Sequence, residues 1–129
     1  MSNLTLIIPA KKEAESLPIF LKELENYDYD KMIVLQSEDI ETIEAIKKFK
    51  NLKIYIQKNN GYGNALKEGI LNTESKFFCI INADGSMDPK YLKDMLELCS
   101  EKDLIFASRY LKNGGSDDDD IVTFIGNKI

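Results

Sequence analysis

The chain has 129 residues, of which 43% are hydrophobic and 30% charged, a formal net charge of −5 and no histidine. This composition supports one globular domain with its own core and excludes a disordered chain. The negative charge argues against an electrostatic grip on nucleic acid or acidic lipid, and the absence of histidine rules out imidazole-ligated zinc and histidine-based triads.

Leu4-Thr5-Leu6-Ile7-Ile8 reads as a first strand ended by Pro9, and Ala10 to Ser16 as a polar loop. A helix follows in which Leu17, Phe20, Leu21 and Leu24 recur at helical spacing, with Pro18 tolerated in its first turn. Met32-Ile33-Val34-Leu35 is the second strand, and Gln36-Ser37-Glu38-Asp39 offers capping groups for a helix turning Ile40, Ile43, Ile46 and Phe49 inward. Ile54-Tyr55-Ile56 is a short third strand. After the loop Gln57 to Asn64 comes a helix burying Ala65, Leu66, Gly69 and Ile70. Phe77 to Ile81 is a fourth strand, apolar throughout as a strand buried on both faces should be. Asp88-Pro89 then starts a helix placing Leu92, Met95, Leu96 and Cys99 on one face, and Leu104 to Ala107 is a fifth strand.

Five strands alternating with helices over short connections predict an α/β fold with a parallel sheet wrapped by helices. Asn113 to Asp120, with two glycines and four consecutive aspartates, cannot join a core and reads as a flexible loop. Ile121 to Ile129 begins something apolar without completing an element. The expected division is thus an α/β domain over 1–112 and a Gly/Asp-rich loop with an incomplete C-terminal segment over 113–129. No segment approaches the roughly 20 apolar residues of a membrane span, and Met1-Ser2-Asn3 leads into a strand with no signal peptide expected. Cys79 and Cys99 read as buried, reduced thiols, which fits an expected cytoplasmic location.

The functional reading centres on Asn82-Ala83-Asp84-Gly85-Ser86, at the expected exit of the fourth strand. Ligands of open parallel sheets collect at the carboxyl ends of the strands, and Asn82 and Asp84 carry hard oxygens two residues apart. Such a pair can hold a divalent cation and, through it, a diphosphate; its other reading is a polar turn. Gly61-Tyr62-Gly63-Asn64-Ala65 is not a dinucleotide fingerprint, because it follows the third strand and Leu66 stands where the last glycine belongs. Its glycines allow either close packing against a nucleotide or a tight turn. Lys11, Lys12 and Lys58 each fall just past a strand end, as Arg109 does, where a cation can face phosphate.

Leu6-Ile7-Ile8-Pro9-Ala10 with Glu13, Asn60 to Leu66 with Gly69, Asn82 to Ser86 with Pro89, and Ser108-Arg109-Tyr110 with Gly114-Gly115 resemble, in order and spacing, the family-two glycosyltransferases. Within that family they are most similar to the branch of dolichol-phosphate mannose synthase and other polyprenyl-phosphate glycosyltransferases. The resemblance implies the A-type fold, a Rossmann-like and mostly parallel sheet flanked by helices. That fold binds a nucleotide-diphospho-sugar with Mg²⁺ or Mn²⁺ and transfers the sugar with inversion. It would put Pro9, Ala10 and Glu13 beside the base and ribose, with Ser37 at the strand end where the base is read. Lys58, Gly61, Asn82, Ala83 and Asp84 would complete the nucleotide-sugar site. Asp84, Asn82 and Ser86 would be the metal ligands, and Asp84 and Arg109 the catalytic residues. The acceptor would be a lipid phosphate or a saccharide, with peripheral membrane contact in the first case. Because the resemblance covers the nucleotide-binding half of such an enzyme, three expectations stay open: a fragment of a longer product, an acceptor site completed by a second copy or a partner chain, or binding without catalysis.

Three positions depart from the family pattern. Asn82 replaces the first aspartate of D-x-D, so weaker metal binding is expected; Gln36-Ser37 replace an acidic pair; Lys12 replaces the asparagine of P-A-x-N-E. Asn82 and the short chain also fit a non-catalytic nucleotide or nucleotide-sugar binding module. A receiver domain would need acidic residues after the first strand and an aspartate after the third, where Lys11-Lys12 and Gln57-Lys58 stand. A sugar nucleotidyltransferase would need a glycine-rich basic loop after the first strand, and only Lys11-Lys12 is there.

Overall fold

In the structure, a computed structural model, the described residues are 4–83 and 90, with the backbone of 104–108 and 122–127. Strand β1 (Leu4–Pro9) is buried along its whole length. It pairs in parallel with β2 (Asp30–Leu35) on one side and β4 (Phe77–Ile80) on the other, and β2 pairs in parallel with β3 (Leu52–Ile56). Two further strands, β5 (Leu104–Ser108) and β6 (Val122–Asn127), complete a six-stranded sheet of order β3-β2-β1-β4-β6-β5.

The sheet is mostly parallel, as predicted, but its far side differs from the simple alternation. β6 lies antiparallel between β4 and β5, so β5 points the same way as β1 to β4 yet sits one place further out. The apolar stretch read as an incomplete C-terminal segment beyond residue 112 supplies this strand, inside the sheet. A six-residue strand carries no local mark of which neighbours will flank it.

Parallel neighbours need crossovers, and α1 (Ser16–Leu24), α2 (Ile40–Ile46) and α3 (Tyr62–Leu71) provide three of them. Helix α1 buries Leu17, Phe20, Leu21 and Leu24, as its spacing predicts. These residues pack with Leu4, Leu6 and Ile8 of β1, Ile33 and Leu35 of β2, and Ile46 of α2. The opposite face of the sheet carries Ile7, Met32, Val34, Phe78 and Ile80, which pack with Ala65 of α3. The alternating side chains of β1 therefore feed two cores, with helices on both faces of one sheet.

In α2 the expected inward face is corrected. Ile40 is 59% exposed, whereas Thr42 and Ile46 are fully buried. A seven-residue helix presents little more than one stripe, and the 42/46 pair takes it while Ile40 is left at the rim. Cys79 is buried within β4 as expected. The helix expected after Asp88-Pro89, Cys99, and the loop at 113–120 lie outside the described residues. Among the described residues no helix is long and apolar enough to cross a membrane.

The strand order positions the site. The chain steps outward from β1 to β2 to β3, then returns to the other side of β1 for β4. Connections therefore diverge at the carboxyl ends of β1 and β4, the place where an open parallel sheet is expected to offer a crevice.

Candidate functional site

Hydrogen bonds carry the sheet a residue past its strands at this edge. The Ala10 amide donates to the Val34 carbonyl (3.0 Å), the Gln57 amide to Leu35 (2.8 Å) and the Ile81 amide to Ile7 (3.0 Å). The exits of β1, β3 and β4 are thereby held at one edge, together with most of the residues predicted for the site. Pro9, Ala10 and Ala83 are buried, Glu13 and Asn82 are half-buried, and Ser37, Lys58 and Gly61 are exposed. Asp84, Ser86 and Arg109 lie outside the described residues.

Between the loops that follow β1 and β2 is a cleft of about 590 Å³, lined among others by Lys11, Lys12, Glu13, Gln36, Asp39 and Glu41. That volume is in the range of small-molecule sites. Of the described residues predicted to bind nucleotide-sugar, Glu13 alone lines it; Pro9, Ala10 and Ser37 are close in sequence but not part of its wall. With Glu15 and Glu38 also on its lining, acidic groups outnumber the two lysines among the described residues. Such a surface suits ribose hydroxyls and base N–H donors better than phosphate oxygens.

Asp39 ties the two walls together. It occupies the N-cap of α2, yet its carboxylate does not cap the helix backbone. One oxygen accepts from the Lys12 amide at 2.7 Å, and the other accepts from the Thr42 hydroxyl at 2.9 Å. The Thr42 oxygen in turn accepts from the Glu13 amide at 3.1 Å. The Glu13 carboxylate accepts from the Ser16 hydroxyl at the start of α1. Lys12 has φ of +55°, a left-handed conformation that costs a lysine about 1–2 kcal/mol and needs support of this kind. Asp39→Ala is therefore expected to destabilise the domain by about 1–2 kcal/mol and to loosen the cleft. Urea denaturation checks the first effect, and faster amide hydrogen exchange at Lys12 and Glu13 the second.

The loop between β3 and α3 is held from beneath by Glu68, 9% exposed on the inner face of α3. Its carboxylate accepts from the Lys58 amide (2.7 Å), the Asn59 amide (3.0 Å) and the Tyr55 hydroxyl (3.1 Å). The Lys58 amide bond is the main cause that lowers the Glu68 pKa, against the opposing effect of desolvation. A lowered folded-state pKa means that this support is complete above the ordinary glutamate value, about 4.3, and is lost as pH falls through the lower folded value. Lowering the pH from about 7 until Glu68 protonates, below the ordinary glutamate range, is expected to release the Lys58 and Asn59 amides, seen as loss of exchange protection once intrinsic acid and base rates are corrected.

Gly61, next in this loop, has φ +106° and ψ +152°, a backbone region open essentially to glycine alone. A side-chain carbon at Gly63 would meet nothing within 4 Å, so that position leaves the helix start open. The Tyr62 hydroxyl reaches Asn82 Oδ1 at 3.4 Å and so joins this loop to the exit of β4.

No cluster of three acidic or cysteine side chains suited to a metal ion occurs among the described residues. Of the three predicted ligands only Asn82 is described, and it brings one neutral oxygen to the β4 exit. By residue type, Asn82, Asp84 and Ser86 would offer only oxygen donors with one carboxylate, a set that would suit Mg²⁺ or Mn²⁺ in kind and bind it weakly.

Sequence reasoning missed Asp39, Thr42, Gln57, Glu68 and Tyr62. For Glu68 a signal was present, because it falls three residues after Ala65 and next to Gly69, on the stripe that packs against the sheet. Thr42 has the same mark, four residues before Ile46.

Residues 5–127 match the pattern of glycosyl transferase family 2. Uncharacterised glycosyltransferases of Mycobacterium bovis and Mycobacterium tuberculosis are 27% identical over 107 residues, which is 81% of this chain and 48% of theirs. The chain thus spans about half the length of these curated relatives. Among solved structures, 4-diphosphocytidyl-2C-methyl-D-erythritol synthase of Anaerococcus prevotii superposes with a TM-score of 0.75 at 12% identity, over 97% of this chain and 71% of that one. Glucosyl-3-phosphoglycerate synthase of Mycobacterium tuberculosis, in complex with Mg²⁺ and uridine diphosphate, gives 0.68 at 12% identity, over 97% and 56%. At these identities the structural likeness speaks for the α/β fold alone. Matched over nearly its whole length, the chain belongs to glycosyl transferase family 2.

Proposed function

We propose that the chain is the donor-binding part of an inverting glycosyltransferase, which takes a nucleotide-diphospho-sugar along the carboxyl edge of its sheet. The observation that carries this reading is the cleft of about 590 Å³ on the β1 side of the topological switch point, within a family of glycosyl transferases. The base and ribose would occupy the Glu13–Asp39 cleft, whose acidic lining favours hydroxyl and N–H groups. The diphosphate would lie toward Lys58, Gly61 and Asn82, away from those carboxylates. There Asn82, Asp84 and Ser86 would hold Mg²⁺ or Mn²⁺, and Arg109 would face the sugar and diphosphate. When bound, the cation neutralises charge on the departing nucleoside diphosphate. The complex of the mycobacterial synthase with Mn²⁺, uridine diphosphate and phosphoglyceric acid supports divalent-metal use in this fold.

For the acceptor, a polyprenyl phosphate fits the resemblance to the dolichol-phosphate mannose synthase branch. Its phosphate oxygen is already anionic and needs little help from a general base. The acceptor site would be completed by additional polypeptide, a second copy or a partner chain.

A non-catalytic nucleotide-sugar module is the second reading, favoured by Asn82, whose neutral oxygen faces the Tyr62 hydroxyl. Thermal shift with UDP- and GDP-sugars, with and without Mn²⁺, tests donor binding. A midpoint raised by one base series, and raised further by Mn²⁺, is expected; no shift with any nucleotide contradicts the proposal. Release of nucleoside diphosphate then separates enzyme from module, because the module binds without turnover.

A further inference from the structure

We propose that Glu68 is a positioning residue for the donor diphosphate: its carboxylate fixes the loop that runs from Lys58 at the exit of β3 to Tyr62, whose hydroxyl meets Asn82 at the exit of β4. The inference rests on the donor-binding reading above and adds to it a residue that touches no substrate.

The geometry is that of a brace. Glu68 Oε1 takes the Lys58 amide and the Tyr55 hydroxyl, and Oε2 takes the Asn59 amide, so two consecutive loop N–H groups end on one side chain. The carbonyls of the same loop are held by amide side chains. Gln57 Nε2 donates to the carbonyls of Asn59 (2.9 Å) and Gly61 (3.1 Å), and Asn64 Nδ2 donates to that of Asn60 (2.8 Å). Each of these struts acts on the backbone of residues 58–61, while the side chains of Lys58, Asn59 and Asn60 remain exposed. At the end of the braced segment the Tyr62 hydroxyl meets Asn82 Oδ1.

Stability alone does not explain a carboxylate at this place. Glu68 lies between buried Ala65 and buried Gly69, on a face where an apolar side chain would pack without the penalty of desolvating a charge. An apolar side chain could not hold two backbone amides at a set distance from the strand exit. Only an ionised carboxylate presents acceptors to all three donors and carries no donor of its own. Glu68→Gln keeps the volume but replaces one acceptor oxygen with an NH₂ group that faces a loop N–H or the Tyr55 hydroxyl. The loop must then shift, and Lys58 with it.

The test is a double-mutant cycle read by titration with UDP and with GDP, each in the presence of Mn²⁺. E68Q is expected to weaken binding of the preferred nucleotide about tenfold in the otherwise native chain and less than about twofold when Lys58 is already alanine. A purely structural Glu68 would lower the thermal midpoint in both backgrounds and leave affinity at low temperature unchanged. Unaltered affinity in E68Q, or the same weakening with and without K58A, overturns the proposal. Should E68Q fail to fold, Q57A decides: it removes the two carbonyl struts from the surface side, and weakening that vanishes in the K58A background is expected. Unchanged affinity in Q57A then overturns the proposal. A native chain that binds neither nucleotide overturns the donor-binding reading and this inference together, whereas native binding with unaffected variants overturns this inference alone.

Discussion

Asp84→Ala is expected to weaken Mn²⁺-dependent donor binding by about 100-fold while leaving the thermal midpoint of the free protein within about 2 °C of the native value. The expectation starts from the strand order, which places the end of β4 beside the end of β1 at the switch point. Asn82 and Ala83 lead out of β4 at that point, with Ala83 buried and Asn82 half-buried, and Asp84 is the next residue. In Asn82-Ala83-Asp84 the third position, Asp84, carries the only full negative charge, so a cation bridging to diphosphate would depend on it more than on Asn82. Calorimetric titration of UDP or GDP with and without Mn²⁺ measures the effect, and native-like affinity in the variant would remove Asp84 from the site. The companion change Asn82→Asp restores the acidic pair and is expected to tighten Mn²⁺ binding. A weaker or unaltered metal affinity would mean that the two side chains do not share a cation.

The second large effect falls on the fold. Gly69→Ala is expected to cost about 1–3 kcal/mol, although alanine is the better helix former by about 1 kcal/mol. A side-chain carbon at Gly69 would stand 2.8 Å from Ile7 Cγ2 and 3.3 Å from Val34 Cγ2. Both neighbours are fully buried and β-branched, and they sit on adjacent strands in the middle of the sheet, so neither side chain can turn aside. Helix α3 must therefore lift, which opens the Ala65 contact and carries the helix start, with Gly61 and Tyr62, away from Asn82. Urea denaturation should show the loss of stability, and a donor titration a weakening that Glu68 and Lys58 remain in place to report. A midpoint equal to or above the native one would show that α3 does not need this close approach.

What could be read from the residues alone divides along physical lines. Helix α1 was legible because Leu17, Phe20, Leu21 and Leu24 form one unbroken stripe, and β1 because a short apolar run bounded by proline has few other solutions. Gly69 was legible as a contact glycine because it falls on the buried face of α3. Ile40 was misread because an apolar residue in the first turn of a short helix looks inward by composition, while its actual place depends on how α2 meets α1. The seat of β6 was not legible, since pairing with β4 and β5 is decided by strands far away in sequence. In the site, the gathering of Pro9, Glu13, Lys58 and Asn82 at one edge followed from alternation of strands and helices. The hydrogen bonds that shape that edge did not. Asp39 with Lys12, Thr42 with Glu13, and Glu68 with Lys58 and Asn59 are non-local pairings of side chain with backbone, and such pairs leave no periodic trace.

Mapping backbone amide shifts by NMR while UDP or GDP is added with Mg²⁺ tests the central claim most directly. Perturbations confined to 10–16, 36–41, 57–62 and 81–83, the carboxyl edge of the sheet, are the result this account predicts. Perturbations centred instead on the opposite edge, around 27–31, 51–53 and 72–75, or none with either nucleotide, would contradict it.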